Sequence, residues 1–129
     1  MLSFTIHDLG DVAILECAGR INAEYAEEVR KAVFAPGREP VSQLVLDLKE
    51  VSDIDAAGLG VLVTLRTWTR AHGTELKLMN LRPRVERVLD LTALRPHFAI
   101  CSAVDMLGLL CRAHHHSHSH QELKHAVGF

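Results

Sequence analysis

The chain has 129 residues, of which 48% are hydrophobic and 23% charged, and this composition fits one domain with a core of its own. A formal net charge of −2 gives no overall attraction to nucleic acid or to an anionic membrane. The three cysteines have no CxxC spacing, no signal peptide is evident, and no apolar run reaches the roughly 20 residues of a membrane helix. We therefore expect a soluble cytoplasmic protein with reduced thiols and no membrane insertion.

The first half of the chain predicts a hairpin, a helix and a third strand. Phe4 to His7 and Val12 to Cys17 are short extended segments separated by turn-forming residues. Asn22 can cap the helix that follows, in which apolar residues recur at helical spacing. Residues 35–40 hold two prolines and a glycine and break the chain before a buried strand, Val41 to Leu48.

A long helix is predicted from Ala56 to His72, because apolar side chains cover more than half of its circumference. Gly73 supplies its C-terminal stop. The side chains predicted to keep one strip exposed to water are Thr64, Arg66, Thr67, Thr69 and Arg70.

The last part of the chain predicts two strands and two helices. Glu75 to Met79 and Phe98 to Ile100 are the strands, and Pro83 suits the first position of the helix between them. Ser102 and Asp105 have the spacing of a capping box and start a final helix. The residues predicted to face inward from that helix are Ala103, Met106, Leu107, Leu110 and Cys111.

The element order is therefore ββαβαβαβα. Strands joined by helices require right-handed crossovers, so we predict an α/β fold with a mixed, mainly parallel sheet of about five strands and about four helices. The domain is predicted to span residues 1–112. Residues 113–129 are polar without an apolar stripe, and we predict that they form a flexible histidine-rich tail.

Asp53 and Asp55 form an acidic pair after the strand that ends at Leu48. Paired carboxylates could bind Mg²⁺ or act in general acid–base catalysis. The alternative is structural: Asp55 caps the following helix while Asp53 orders the turn. We favour the structural alternative, because no third acidic or histidine ligand stands nearby in the sequence.

Gly58 and Gly60 lie where phosphate-binding loops begin a helix, but Val63 replaces the third glycine of a dinucleotide motif and no P-loop lysine follows. The two glycines are instead suited to close approach by a partner. Asp47, at the end of a predicted strand, resembles the phosphorylated residue of receiver domains only weakly, since the first strand is not followed by an acidic pair.

The tail histidines at 114, 115, 116, 118 and 120 could bind transition metals, but a flexible tail without a dedicated site is the favoured interpretation. No nucleophile elbow, HExxH or Ser-x-x-Lys pattern is present. We therefore predict no catalytic residue, no metal site and no cofactor.

The D-x-D-A-A-G-L-G-V-L turn and helix, followed by the helix P-R-V-E-R-V-L-D-L-T-A-L, resembles the STAS family of anti-sigma-factor antagonists and sulfate-transporter domains. The resemblance covers about Phe4 to Leu110. It implies that a serine directly after the turn aspartate would be phosphorylated by an anti-sigma-factor kinase, and that phosphate there would break binding to that kinase. Ala56 occupies the matching position and Ala57 follows it, so neither can accept phosphate.

The resemblance implies a noncatalytic regulator that binds an anti-sigma-factor kinase or another ATPase-type protein. The predicted docking surface comprises Ser52, Asp53, Asp55, Ala56, Ala57, Gly58, Leu59, Arg82 and Arg84. In it, Asp53 and Asp55 would anchor the rim and Leu59 would make an apolar contact.

Three interpretations stay open at this point. The protein could be a permanently active antagonist, a STAS subunit of an ABC-type lipid-transport complex, or a regulator phosphorylated on another hydroxyl. The candidate hydroxyls are Ser52, Thr64 and Thr92. The oligomeric state is also open, a homodimer included.

Overall fold

The computed structural model describes residues 2–37 and 41–102, together with 104, 105, 107, 108 and 111. The strands are β1 (Leu2–Leu9), β2 (Val12–Gly19), β3 (Gln43–Glu50), β4 (Glu75–Met79) and β5 (Ala99–Cys101). The helices are α1 (Ala23–Val33), α2 (Ala56–Ala71), α3 (Pro83–Leu91) and a 3-10 turn at Arg95–His97. The described residues beyond Ser102 are also helical.

All five strands form one sheet in the order β1-β2-β3-β4-β5. β1 and β2 pair antiparallel as a hairpin, in which Gly10 takes a positive φ of 71°. The other three pairings are parallel, each reached through a helical crossover. The sheet is thus mixed and mainly parallel, and the predicted α/β fold class is confirmed.

The core lies mainly on one face of the sheet, because α1, α2 and α3 pack on that face. α1 contributes Tyr25 and Val29, α2 contributes Leu62 and Leu65, and α3 contributes Leu89, all of them at most 1% exposed. A smaller apolar cluster lies on the other face and comprises Val12, Ile14, Val45, Met79 and Cys101.

Since β2, β3 and β4 run parallel, their carboxyl ends lie at one edge of the sheet. Three loops therefore meet there: residues 20–22 before α1, residues 51–55 before α2 and residues 80–82 before α3. In open α/β sheets this edge is where ligand and partner sites are usually built.

Thr69 is completely buried, so its predicted place on the water-exposed strip of α2 is wrong. The chain folds back after Gly73, and the amide of Thr74 donates to the Thr69 carbonyl at 2.8 Å. The Thr69 hydroxyl donates to the Arg66 carbonyl at 3.0 Å, so this buried hydroxyl has a hydrogen-bond partner within the protein.

The capping box before the final helix is confirmed. The Ser102 amide donates to the Asp105 carboxylate and the Asp105 amide donates to the Ser102 hydroxyl, each at 3.1 Å. Leu107 is 62% exposed and Cys111 is also exposed, so their predicted inward orientation is wrong. Ala103, Met106, Leu110 and the predicted tail, 113–129, lie outside the described residues.

Candidate functional site

Helix α2 begins with a side-chain cap. Asp55 has extended backbone angles, and its carboxylate accepts a hydrogen bond from the Gly58 amide at 2.9 Å. The Asp53 carboxylate accepts from the Ile54 amide, also at 2.9 Å, and so orders the turn. The predicted cap at Asp55 and the predicted ordering of the turn by Asp53 are therefore confirmed. A cap of this kind stabilises a protein by about 1 kcal/mol.

The two glycines near the start of α2 have different surroundings. A Cβ atom on Gly58 would lie 2.6 Å from Ile54 Cγ1 and 3.1 Å from the Ile21 carbonyl oxygen. A Cβ atom on Gly60 would have no neighbour within 4 Å. Gly58 is thus required by internal packing, whereas the fold itself gives no steric reason for Gly60.

Two arginine side chains reach the acidic turn, one from the loop before α1 and one from the first turn of α3. Arg20 Nη1 lies 3.9 Å from Asp55 Oδ2, and Arg84 Nε lies 3.6 Å from Asp53 Oδ2. Each of these four side chains is more than half exposed, so the pairs contribute at most about 1 kcal/mol each. They place both charge signs at the surface beside the start of α2.

We call this region the α2 corner and define it as residues 51–60 with Arg20, Arg82 and Arg84. Most residues of the predicted docking surface lie in the α2 corner and are exposed to solvent. They are Ser52, Asp53, Asp55, Ala56, Ala57, Arg82 and Arg84. Gly58 is buried, and Leu59 is only 9% exposed because its side chain belongs to the core. Leu59 therefore offers a partner little apolar surface.

A shallow depression of about 210 Å³ opens between the loops of the α2 corner. Its lining mixes polar and apolar groups and comprises Gly19, Arg20, Ile21, Glu50, Ser52, Asp53, Ile54 and Asp55. Among the described residues no group of three or more histidine, cysteine or acidic side chains could hold a metal ion. Burial raises the pKa of the nearby Cys17 thiol to about 12, so it is not a nucleophile at neutral pH.

The candidate hydroxyls lie in different parts of the structure. Ser52 is exposed in the α2 corner, while Thr64 is half-buried farther along α2. Thr92 caps the C-terminus of α3, and its hydroxyl donates to the Val88 carbonyl at 2.8 Å. Asp47 is only 4% exposed, which leaves it inaccessible as a receiver-type phospho-acceptor.

The sequence did not single out Arg20, which is part of the α2 corner, or Asn80, which precedes Arg82 in the neighbouring loop. Arg20 follows β2 directly, and Asn80 follows β4 and donates to the Asp47 carboxylate at 3.1 Å. The signal for both was their position after parallel strands, whose carboxyl ends share an edge.

No helix in the part of the chain that the structure describes is both long enough and apolar enough to cross a membrane.

Comparison with known proteins gives a consistent result. Residues 3–107 match the family described as STAS domain. The anti-sigma-B factor antagonist of Bacillus subtilis (strain 168) is 37% identical over 78 residues, which cover 60% of this chain and 71% of that protein.

Solved structures share the fold. The NMR structure of the protein TM1081 has a TM-score of 0.68 and 26% identity, and the match covers 83% of this chain and 86% of that one. The anti-sigma factor antagonist SpoIIAA in its unphosphorylated form has a TM-score of 0.66 at 17% identity, covering 85% of this chain and 97% of that one. SpoIIAA has also been solved in its phosphorylated form. The chain therefore belongs to the STAS domain family, and within that family it is similar to the anti-sigma-factor antagonists.

Proposed function

We propose that this protein is a noncatalytic regulator that binds an anti-sigma-factor kinase through the α2 corner. We further propose that Ala56 occupies the position where phosphorylated relatives carry their acceptor serine. The protein would then bind its kinase continuously, because ATP could not release it through that position. The partner and the missing acceptor are the parts of this proposal that need direct tests.

The observation that supports the proposal is the accessibility of the first turn of α2. Ala56 and Ala57 are exposed directly after the Asp55 cap, at the sheet edge where three loops meet. The acidic side chains of the turn are paired with Arg20 and Arg84, no cluster of metal-binding side chains is found among the described residues, and burial raises the pKa of the Cys17 thiol. An accessible, ordered helix start without reactive groups is suited to protein–protein contact.

A negative charge at position 56 should act as a permanent phosphate would. We expect Ala56→Asp and Ala56→Glu to weaken capture of a purified anti-sigma-factor kinase from the same genome by at least about tenfold. An acidic residue in the first helical turn interacts favourably with the helix dipole, so unfolding would not explain the loss.

Thr67→Glu provides the matched control. Thr67 is also exposed on α2, about 16 Å along the helix axis from Ala56. The control should bind the kinase as the wild type does. If both Ala56 variants also bind like the wild type, the α2 corner is not the interface.

The missing acceptor can be tested by restoring it. We expect Ala56→Ser to gain one phosphate when incubated with ATP and the kinase, as measured by mass spectrometry. Ala57→Ser moves the hydroxyl about 100° around the helix and should gain none. Phosphate on Ser52, Thr64 or Thr92 of the wild type would contradict a permanently active antagonist.

The alternative partner is an ATPase of another class. Recovery of an ABC-type ATPase with the membrane fraction, and no binding to the kinase, would support the STAS subunit of a lipid-transport complex instead. Size-exclusion chromatography with light scattering would establish whether the protein binds its partner as a monomer or as a homodimer.

A further inference from the structure

Asp47 is a charged residue in the interior of the sheet. It lies on β3 between Leu46 and Leu48, which pack in the helix-side core, so its side chain projects from the opposite face. Only 4% of the residue is exposed. Burying a carboxylate is costly unless it is well paired, and an apolar residue often serves stability as well. A buried aspartate at this position therefore suggests a role in placing other groups.

The Asp47 carboxylate contacts groups at the ends of β3 and β4. Oδ1 accepts hydrogen bonds from the Lys49 amide and from Asn80 Nδ2, both at 3.1 Å. Oδ2 lies 3.6 Å from the Lys49 ammonium. Asp47 pairs with Met79 in the last register position shared by β3 and β4, so Asn80 is the first residue beyond the paired strands.

Asn80 is where the chain leaves the sheet for α3. Its φ of 58° lies in the left-handed region, which asparagine tolerates better than most residues. Two residues later, Arg82 Nη1 donates to the Lys49 carbonyl at 3.0 Å. Arg84 then reaches Asp53 at 3.6 Å. Asn80, Arg82 and Arg84 thus connect the loop before α3 and the first turn of α3 to β3 and to the acidic turn.

We propose that Asp47 is a positioning residue of the α2 corner. Its carboxylate holds Asn80, Asn80 fixes the left-handed turn, and that turn aims Arg82 and Arg84 at residues 49–53. The importance of this arrangement for docking depends on the function proposed above. The arrangement itself can be measured without any partner.

The most direct variant is Asn80→Gly. Glycine adopts a positive φ without strain, so the turn stays available while the amide that binds Asp47 is removed. Two variants of the carboxylate provide a matched comparison. Asp47→Asn keeps an oxygen that can accept from the Lys49 and Asn80 donors, whereas Asp47→Leu removes both acceptors.

The quantity measured is the mobility of the Arg82 and Arg84 side chains. It is monitored by ¹⁵N NMR of their Nε–H groups. We expect Asn80→Gly and Asp47→Leu to lower the heteronuclear NOE of both groups clearly below the wild-type values. Asp47→Asn should retain most of the wild-type NOE. The indole N–H of Trp68, at the far end of α2, should keep its chemical shift in Asn80→Gly as evidence of an intact fold. Unchanged arginine NOE values in Asn80→Gly would overturn the proposal.

Binding to the purified anti-sigma-factor kinase tests the consequence. We expect Asn80→Gly to bind about fivefold more weakly than the wild type, a value typical of groups coupled through one network. If the arginine NOE values fall in Asn80→Gly but the affinity for the kinase does not change, the placement of these arginines has no role in docking. If the wild type does not bind the kinase at all, the proposed function fails, and the NMR result alone then decides whether Asp47 positions the arginines.

Discussion

The two ends of helix α2 use their polar groups differently. At the C-terminal end, Thr69 is completely buried, and the Thr74 hydroxyl donates to the Val41 carbonyl at 2.7 Å in a buried position. At the N-terminal end, Asp55 caps the helix but stays more than half exposed, and Ala56 beside it is exposed as well. The C-terminal end is therefore fastened to the sheet, whereas the N-terminal end combines an ordered backbone with a free surface.

This difference has a consequence for mutagenesis. Changes at the C-terminal end should alter the free energy of unfolding and affect binding only through it. Changes at the N-terminal end should allow stability and binding to be altered separately. Gly58 is the exception at the N-terminal end, because it is buried against neighbouring loops.

The largest effect is expected for Gly58→Ala. The new Cβ would lie 2.6 Å from the Ile54 side chain and 3.1 Å from the Ile21 carbonyl oxygen, and a backbone atom cannot move aside as a flexible side chain can. Overpacking of this kind should lower the free energy of unfolding by about 2 kcal/mol, even after the better helix propensity of alanine. Urea unfolding measures this change in the free energy of unfolding. If the variant is as stable as the wild type, the loops around Gly58 move easily enough to accommodate the new Cβ atom.

Thr74→Val tests the C-terminal end. Valine has nearly the same shape, but it removes the hydroxyl that donates to the buried Val41 carbonyl. Leaving that oxygen unsatisfied should cost about 1.5 kcal/mol of stability. Kinase binding measured well below the unfolding transition should not change. Weaker binding by the folded variant would mean that the two ends of α2 are coupled.

Asp55→Ala tests the cap. Loss of the hydrogen bond from the Gly58 amide should lower the unfolding free energy by about 1 kcal/mol. Asp55→Asn is the control, since asparagine caps a helix as well as aspartate does but carries no charge for Arg20. Equal losses in the two variants would indicate that the charge, and not the cap, stabilises this end.

The sequence predicted the α/β class, the hairpin start and the cap at Asp55, because each follows from local signals of period, turn chemistry and helix initiation. It did not predict the burial of Thr69, since the helical pattern alone does not show that the chain folds back after Gly73. Leu59 was predicted as a partner contact, yet its side chain belongs to the core. Asn80 was missed because its role depends on Asp47, 33 residues earlier in the chain.

Gly60→Ala separates stability from binding at the N-terminal end. Nothing within 4 Å would meet the new Cβ, so the substitution should stabilise the protein by about 0.5–1 kcal/mol through helix propensity. If a partner approaches the helix start closely, the same methyl group should weaken kinase binding. A stabilised variant with unchanged affinity would place the partner away from Gly60.

The smallest effects are expected for the exposed ion pair between Arg84 and Asp53. Neither Arg84→Ala nor Asp53→Asn should change the unfolding free energy by more than about 0.5 kcal/mol. If Asp53 and Arg84 both face the partner in the docking surface, Asp53→Asn and Arg84→Ala should each slow association with the kinase by about threefold. Both effects should shrink as ionic strength rises, because salt screens exposed charges.

Arg87→Ala on the same helix is the control, since Arg87 is exposed and forms no ion pair with another described residue. Stopped-flow association at low and physiological salt measures these rates, and a rate unchanged from the wild type in either variant would exclude that side chain from the docking surface.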